Sequence, residues 1–289
     1  RSRLPSSKKA KIVFAEGNHT RILKAASILH DEGLVSPILL GDPHLIHKKM
    51  DQLNLSQLKE LPIIDPGENS EHYQEFYEAY HQERKRKGAS LYQSKDVMKR
   101  PNYYASMMVK KGYADGMITG TTQSYPDCVK PVFRVLHQGQ GTDKLAGIII
   151  LILKNRVVFL ADCTTQLNPS AEDLSSIASS TAQLYQKLMQ TKPKVAFLSY
   201  SNFGSTRNQE TIKVSQAVGL TRERNPELVI DGEMQADVAV NNGILKNLFE
   251  FSDLDGPADV LIFPDLNSAN ISYKLLSQLG NATPIGPIL

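Results

Sequence analysis

Lys11-Ile-Val-Phe-Ala-Glu-Gly-Asn18 decides the fold. A short apolar run from Lys11 to Ala15 closes on Glu16-Gly17-Asn18, which reads as a strand running into a turn. Asn18 or Thr20 caps the helix that follows. Its Ile22, Leu23, Ala26 and Leu29 recur at helical spacing, and Gly33 stops it. A second strand, Pro37-Ile-Leu-Leu40, ends at Gly41-Asp42-Pro43, and Pro43 suits the first turn of a helix. A third, Pro62-Ile-Ile-Asp65, ends at Pro66-Gly67. Strands alternating with helices mean right-handed βαβ units and a mainly parallel sheet.

Further along, residues 70–111 read as helical throughout, with Tyr73, Phe76, Tyr77 and Tyr80 on one stripe. Asp115-Gly-Met-Ile-Thr-Gly120 is strand then turn, and Ser124 to His137 is helix. Composition turns strand-rich after the loose stretch Gly139–Asp143, so a domain boundary and hinge are expected there. This divides the chain into a linker at 1–10, a first α/β domain at 11–142 and a second at 143–289. Leu145–Leu153 and Val157–Asp162 flank Lys154-Asn155-Arg156, which suggests a hairpin. Ser170 and Asp173 stand in capping-box relation at the head of a long helix to Gln190. Strands at Lys194–Ser199, Leu228–Asp231 and Ala258–Pro264, with helices at Thr206–Leu220 and Asp265–Leu279, complete the second half.

The chain has 289 residues, 41% of them hydrophobic and 22% charged, enough for a stable core without staples. Lys plus Arg is 33 against 30 for Asp plus Glu, a balance of +3 that argues against a nucleic-acid partner. The longest apolar run, Ala146–Leu153, is far shorter than the ~20 residues of a membrane span. Two cysteines, Cys128 and Cys163, make no disulfide framework and read as free thiols of a reducing cytoplasm. The opening Arg-Ser-Arg-Leu-Pro-Ser-Ser-Lys-Lys9 lacks Met and reads as the basic linker of an excised piece. Neither a phosphate-binding P-loop nor a dinucleotide fingerprint nor a nucleophile elbow is present. His44 and His47 lie three apart without further ligands nearby, so no metal is expected.

Ligands of open parallel sheets bind beyond the carboxyl ends of the strands. Four such loops are rich in small and polar residues: Thr119–Ser124, Ser199–Thr206, Asp231–Asp237 and Pro264–Asn270. Three lead into helices, whose first amides favour anions. Ordinary turn and capping chemistry uses the same residue types, but four together point to a polar cleft for a phosphate-bearing ligand. The cluster Arg84-Lys-Arg-Lys87 before Gly88 is either a helix C-terminal charge cluster or a clamp on a phosphorylated ligand.

These loops resemble the phosphate acetyltransferase and butyryltransferase family. The resemblance rests on Val195-Ala-Phe-Leu-Ser-Tyr-Ser201 with Gly204-Ser205, on Asp231-Gly-Glu-Met-Gln235, and on Ile262-Phe-Pro-Asp-Leu-Asn267 with Ala269-Asn-Ile271 and Tyr273-Lys274. It runs from Lys11 to Leu289. Phe14-Ala-Glu-Gly17, Tyr80-His81 and Ser201-Asn-Phe-Gly-Ser205 look closer still to the acyltransferase-like C-terminal domain of hybrid malic enzymes. The resemblance implies two α/β domains with mainly parallel sheets and a ligand cleft between them, a phosphotransacetylase-like fold related to isocitrate and isopropylmalate dehydrogenases. A family CoA-site arginine falls on Arg84. A second falls on Lys130 before Pro131, which keeps the charge but loses the bidentate fork. The family's serine-arginine-glycine catalytic segment is expected beyond Leu289.

On this reading the chain is an acetyl-CoA-sensing regulatory domain that mediates acetyl-CoA inhibition and homo-oligomerisation, with no catalytic residue of its own. NADP, a divalent metal and the conversion of malate to pyruvate would belong to a malic enzyme domain of the same chain. The expected acetyl-CoA-binding residues are Arg84, Lys130, Thr119, Thr121, Ser124, Ser199, Ser201, Asn202, Gly204, Ser205, Asp265, Asn267, Ala269 and Asn270. An active phosphate acetyltransferase and a ligand-free oligomerisation scaffold are the alternatives.

Overall fold

The computed structural model describes residues 9–136 and 145–289. The basic opening residues 1–8 and the expected hinge at Gly139–Asp143 lie outside them. The chain divides into two compact units, Arg1–Gly139 and Gln140–Leu289.

The first unit runs β1 (Ala10–Phe14), α1 (Thr20–Asp31), β2 (Val35–Leu40), α2 (Pro43–Gln52), β3 (Ile63–Ile64), α3 (Tyr73–Arg84), α4 (Leu91–Met98), α5 (Pro101–Lys110), β4 (Gly116–Ile118) and α6 (Tyr125–Val135). Its sheet has the order β3-β2-β1-β4, and every pair is parallel. The period of two sends alternate residues to opposite faces. Val13, Ala15, Ile38 and Leu40 pack under the tyrosine-rich helices α3 and α5, while Phe14 and Leu39 pack with Ile22, Leu23, Ile46 and Met50 of α1 and α2.

The expected continuous helical stretch over 70–111 is broken into α3, α4 and α5. Gly88 takes φ +87°, a left-handed stop, and Ser90 then opens α4 with a reciprocal cap to Gln93. Pro101 occupies the first turn of α5, where its missing N–H costs nothing. The apolar stripe is continuous across these breaks, so periodicity alone hides them.

The second unit runs β5 (Ile148–Ile152), β6 (Val157–Ala161), α7 (Ala171–Met189), β7 (Lys194–Leu198), α8 (Gln209–Arg224), β8 (Val229–Met234), α9 (Ala236–Val240), α10 (Asn242–Leu248), β9 (Val260–Ile262), α11 (Leu266–Leu279) and β10 (Thr283–Ile288). The sheet order is β10-β5-β6-β9-β7-β8. Strands β6, β9, β7 and β8 are parallel, and β5 pairs antiparallel with both β6 and β10. Thus β5 and β6 form the expected hairpin. Helices α7 and α8 cover one face, and α9, α10 and α11 the other.

Two details differ from the sequence reading. Asp231-Gly-Glu-Met234 is strand rather than loop, because β8 stays paired to β7 through a register shift at Phe197–Leu198. The homo-oligomer expected of this chain also finds little spare apolar surface on α7 and α8. Leu174, Ile177, Ala178, Val214, Ala217 and Val218 fill the core beneath them. The exposed apolar stripe lies instead on α11, at Ile271, Leu275 and Leu279.

Candidate functional site

In the first unit the chain lays down β1, β2 and β3 in one direction, then crosses back to place β4 on the other side of β1. The carboxyl ends of β1 and β4 therefore form a topological switch point, the usual seat of ligands in such sheets. Here that position holds the chain's own anion. Glu16, 6% exposed, accepts hydrogen bonds from the amides of Gly120 (2.8 Å), Thr121 (2.8 Å) and Thr122 (2.7 Å), and from the Thr122 hydroxyl. Burial pushes this carboxyl up, but the hydrogen bonds from Thr122, Thr121 and Gly120 outweigh it and hold its pKa below the ordinary value. On the far side of the same loop, the Asn102 amide donates to Gln123 Oε1 at 2.6 Å and accepts from the Thr119 hydroxyl at 2.7 Å. Ser124 donates to Asp127 at 2.6 Å.

Positive charge gathers elsewhere in the same unit. A cavity of about 390 Å³ is lined by Tyr80, Arg84, Lys87, Tyr92, Arg100 and Arg134, among others. Arg134 donates to the Tyr103 phenol at 3.2 Å, and Arg100 to Asp96 at 3.0 Å. Tyr92 is 82% exposed. Lys130 is exposed and lies four residues before Arg134, so the two share one face of α6. Arg84 thus stands in a cationic cavity, with Lys130 one helical turn from its wall. Arg134, Arg100 and Tyr92 were missed by the sequence reading. The Lys130–Arg134 spacing was visible, but nothing in it says which helix face meets α3 and α4.

In the second unit, the loops after β7 and β9 belong to adjacent parallel strands. Ser201, 1% exposed, is the hub of the first loop. Its hydroxyl lies 3.1 Å from Ser205 Oγ, reaches Glu233 Oε1 at 3.2 Å and accepts from the Thr206 amide at 3.0 Å. Glu233, 3% exposed, also accepts from the Gly204 amide at 2.7 Å. Ser199 accepts from the Ser201 amide at 3.3 Å, and Asn202 from the Gln235 amide at 2.7 Å. Asp265 caps α11 through the Ser268 amide at 2.9 Å. Asn270 donates to the Cys163 carbonyl at 3.2 Å, Ala269 is buried and Asn267 is exposed. Asp231 braces β8 instead of facing a ligand, held by Arg222 at 2.8 Å, Ser252 at 2.7 Å and the Asp253 amide at 2.9 Å.

Several of the amides expected to await an anion are therefore taken. Glu16 holds those of Gly120, Thr121 and Thr122 in the loop ahead of α6, whose own N-cap Ser124 makes no side-chain cap; Asn208 holds those of Glu210 and Thr211, and Asp265 that of Ser268. The first unit offers side-chain cations in their place. Burial raises the thiol pKa of both Cys128 and Cys163, the latter to about 12, so neither is an activated nucleophile. Among the described residues, no group of three His, Cys, Asp or Glu could hold a metal ion, and no helix is long and apolar enough to cross a membrane.

The chain is 35% identical over 286 residues to a phosphate acetyltransferase of Clostridium acetobutylicum, covering 97% of this chain and 85% of that one. It is 36% identical to the phosphate acetyltransferase of Bacillus subtilis, covering 98% and 87%. A phosphotransacetylase structure from Streptococcus pyogenes superposes with a TM-score of 0.90 at 34% identity, covering 98% of this chain and 85% of that one. These matches overturn the reading as a regulatory domain of a malic enzyme. Relatives aligned along almost all of the chain, and along most of their own length, are named as transferases, so the oxidoreductase and NADP expectations fall with it. The family model described as phosphate acetyl/butaryl transferase matches residues 2–289, and the chain belongs to that family.

Proposed function

We propose that the protein transfers an acetyl group between CoA and inorganic phosphate, interconverting acetyl-CoA plus phosphate with acetyl phosphate plus CoA. Kinship with phosphate acetyltransferases along nearly the whole chain carries this reading. The cationic cavity around Arg84 and Arg134 supports it. In the forward direction a phosphate oxygen attacks the thioester carbon, the C–S bond breaks, and the thiolate leaves to take up a proton. Negative charge rests in turn on phosphate, on the tetrahedral carbon's oxygen and on sulfur, so catalysis needs fixed positive charge and donors. CoA carries a 3′-phosphate and a pyrophosphate. Arg84, Lys130 and Arg134 meet that charge. Thr119, Thr121 and Ser124 of the same unit complete the proposed ligand-contacting set there.

The division of the chain after Gly139 supports a first α/β domain at 11–142 and a second at 143–289. Two buried, free cysteines accord with a reducing cytoplasm. Self-association through the second unit belongs to the same proposal, since α11 presents Leu275 and Leu279 at 52% and 81% exposure. Light scattering is expected to give more than one chain per particle; a monomer at tens of micromolar overturns that point. The activity is tested by thioester formation from acetyl phosphate and CoA with the full-length protein. Turnover requiring both substrates is expected, and its absence in folded protein overturns the reading.

A further inference from the structure

No ligand contact follows from the Phe14-Ala-Glu-Gly17 signature. Its glutamate fills the switch point of the first unit. A carboxylate has about four lone-pair sites, and Glu16 meets four donors, three of them consecutive amides. It cannot withdraw on the backbone side. The Gly17 amide donates to Leu40 O at 2.9 Å, and a Cβ at Gly17 would lie 2.7 Å from that oxygen. The Ala15 amide likewise extends the ladder to Ile118 O at 3.1 Å. The loop so held opens directly into α6, and α6 carries Lys130 and Arg134 on one face.

We propose that Glu16 is a positioning residue for the transfer reaction: its buried carboxylate locks the Gly120–Thr122 loop, and through it sets where α6 presents Lys130 and Arg134 to the phosphates of CoA. This rests on the transferase reading above. An anionic ligand group does not replace Glu16 in the nest of amides, because its four donors are already matched by a carboxylate tethered to β1. The ligand's charge falls to the side-chain cations instead.

Glu16→Gln keeps the shape but puts an NH2 donor in place of one of the two oxygens, facing donors. Thr122→Ala removes a single bond from the same cluster and spares the amides, so it serves where Glu16→Gln fails to fold. Steady-state kinetics in the full-length protein, varying CoA and then acetyl phosphate, read the effect, with circular dichroism reporting folding. For Glu16→Gln, KM for CoA is expected to rise about tenfold with kcat within about threefold of the parent, and Thr122→Ala to move KM less in the same direction. Combined with Lys130→Ala, either change is expected to raise KM by less than the product of the separate effects, because the Lys130 contact is shared while that of Arg134 remains. A fall in kcat with KM for CoA unchanged, or effects that multiply in full, overturns the inference while leaving the transferase reading intact. No turnover by the parent protein strikes the transferase reading itself and the inference with it.

Discussion

At Glu16 four donors converge on one carboxylate, and the sign of its pH dependence follows. Its pKa in the folded protein lies below the ordinary 4.5, with burial opposing the shift and the bonds from Thr122, Thr121 and Gly120 prevailing. A depressed carboxylate contributes stability that is fully present above the unfolded-state pKa and is lost as pH falls through the folded one. The parent is therefore expected to lose stability on acidification below about pH 4.5 more steeply than Glu16→Gln. Urea denaturation midpoints across that range check this, and parallel curves would count against it. The neighbouring Gly17 is required for a different reason. A methyl there would sit 2.7 Å from Leu40 O, a backbone atom that cannot step aside. Gly17→Ala is expected to destabilise by about 1–3 kcal/mol, as overpacking does, measured by the same denaturation.

Elements here are set by their ends as much as by their stripes. Ser170 and Asp173 cap α7 reciprocally at 3.2 Å and 3.1 Å, as their spacing announces. Ser170→Ala is expected to cost about 1 kcal/mol in thermal or urea unfolding, and a change within error would argue that the cap is replaceable. Residues 70–111 show the opposite case. The tyrosine stripe was legible, but its three segments depend on Gly88, Ser90 and Pro101, each a local stop or start inside a continuous apolar pattern. Helices α9 and α10 escaped the sequence reading because five and seven residues give too few turns for a period to emerge. Strand β10 escaped it because Pro284, Gly286 and Pro287 interrupt its pattern, which an edge strand tolerates.

For the molecule as a whole, charge placement is the quantity that links fold to activity. Arg84→Ala and Lys130→Ala are each expected to weaken CoA binding by about 1.5–3 kcal/mol, the scale of a hydrogen bond to a charged group. That is roughly tenfold to a hundredfold in a calorimetric titration, with folding intact. Parent-like binding by both would place the CoA phosphates elsewhere. The alternation of strands and helices, the mainly parallel pairing, the hairpin at Lys154–Arg156 and three of the four polar strand-end loops were determined by sequence, because each follows from local periodicity or turn chemistry. The sequence also carried the family, through signatures spread from Lys11 to Leu289, although the malic-enzyme reading built on them failed. Only the tertiary structure decided that Glu16 meets the loop at Gly120–Thr122, 104 to 106 residues away. It also decided that Arg134 joins Arg84 in one cavity, and that Asp231 braces a strand. These are pairings between distant segments, and they depend on which strands lie side by side, which no local pattern encodes.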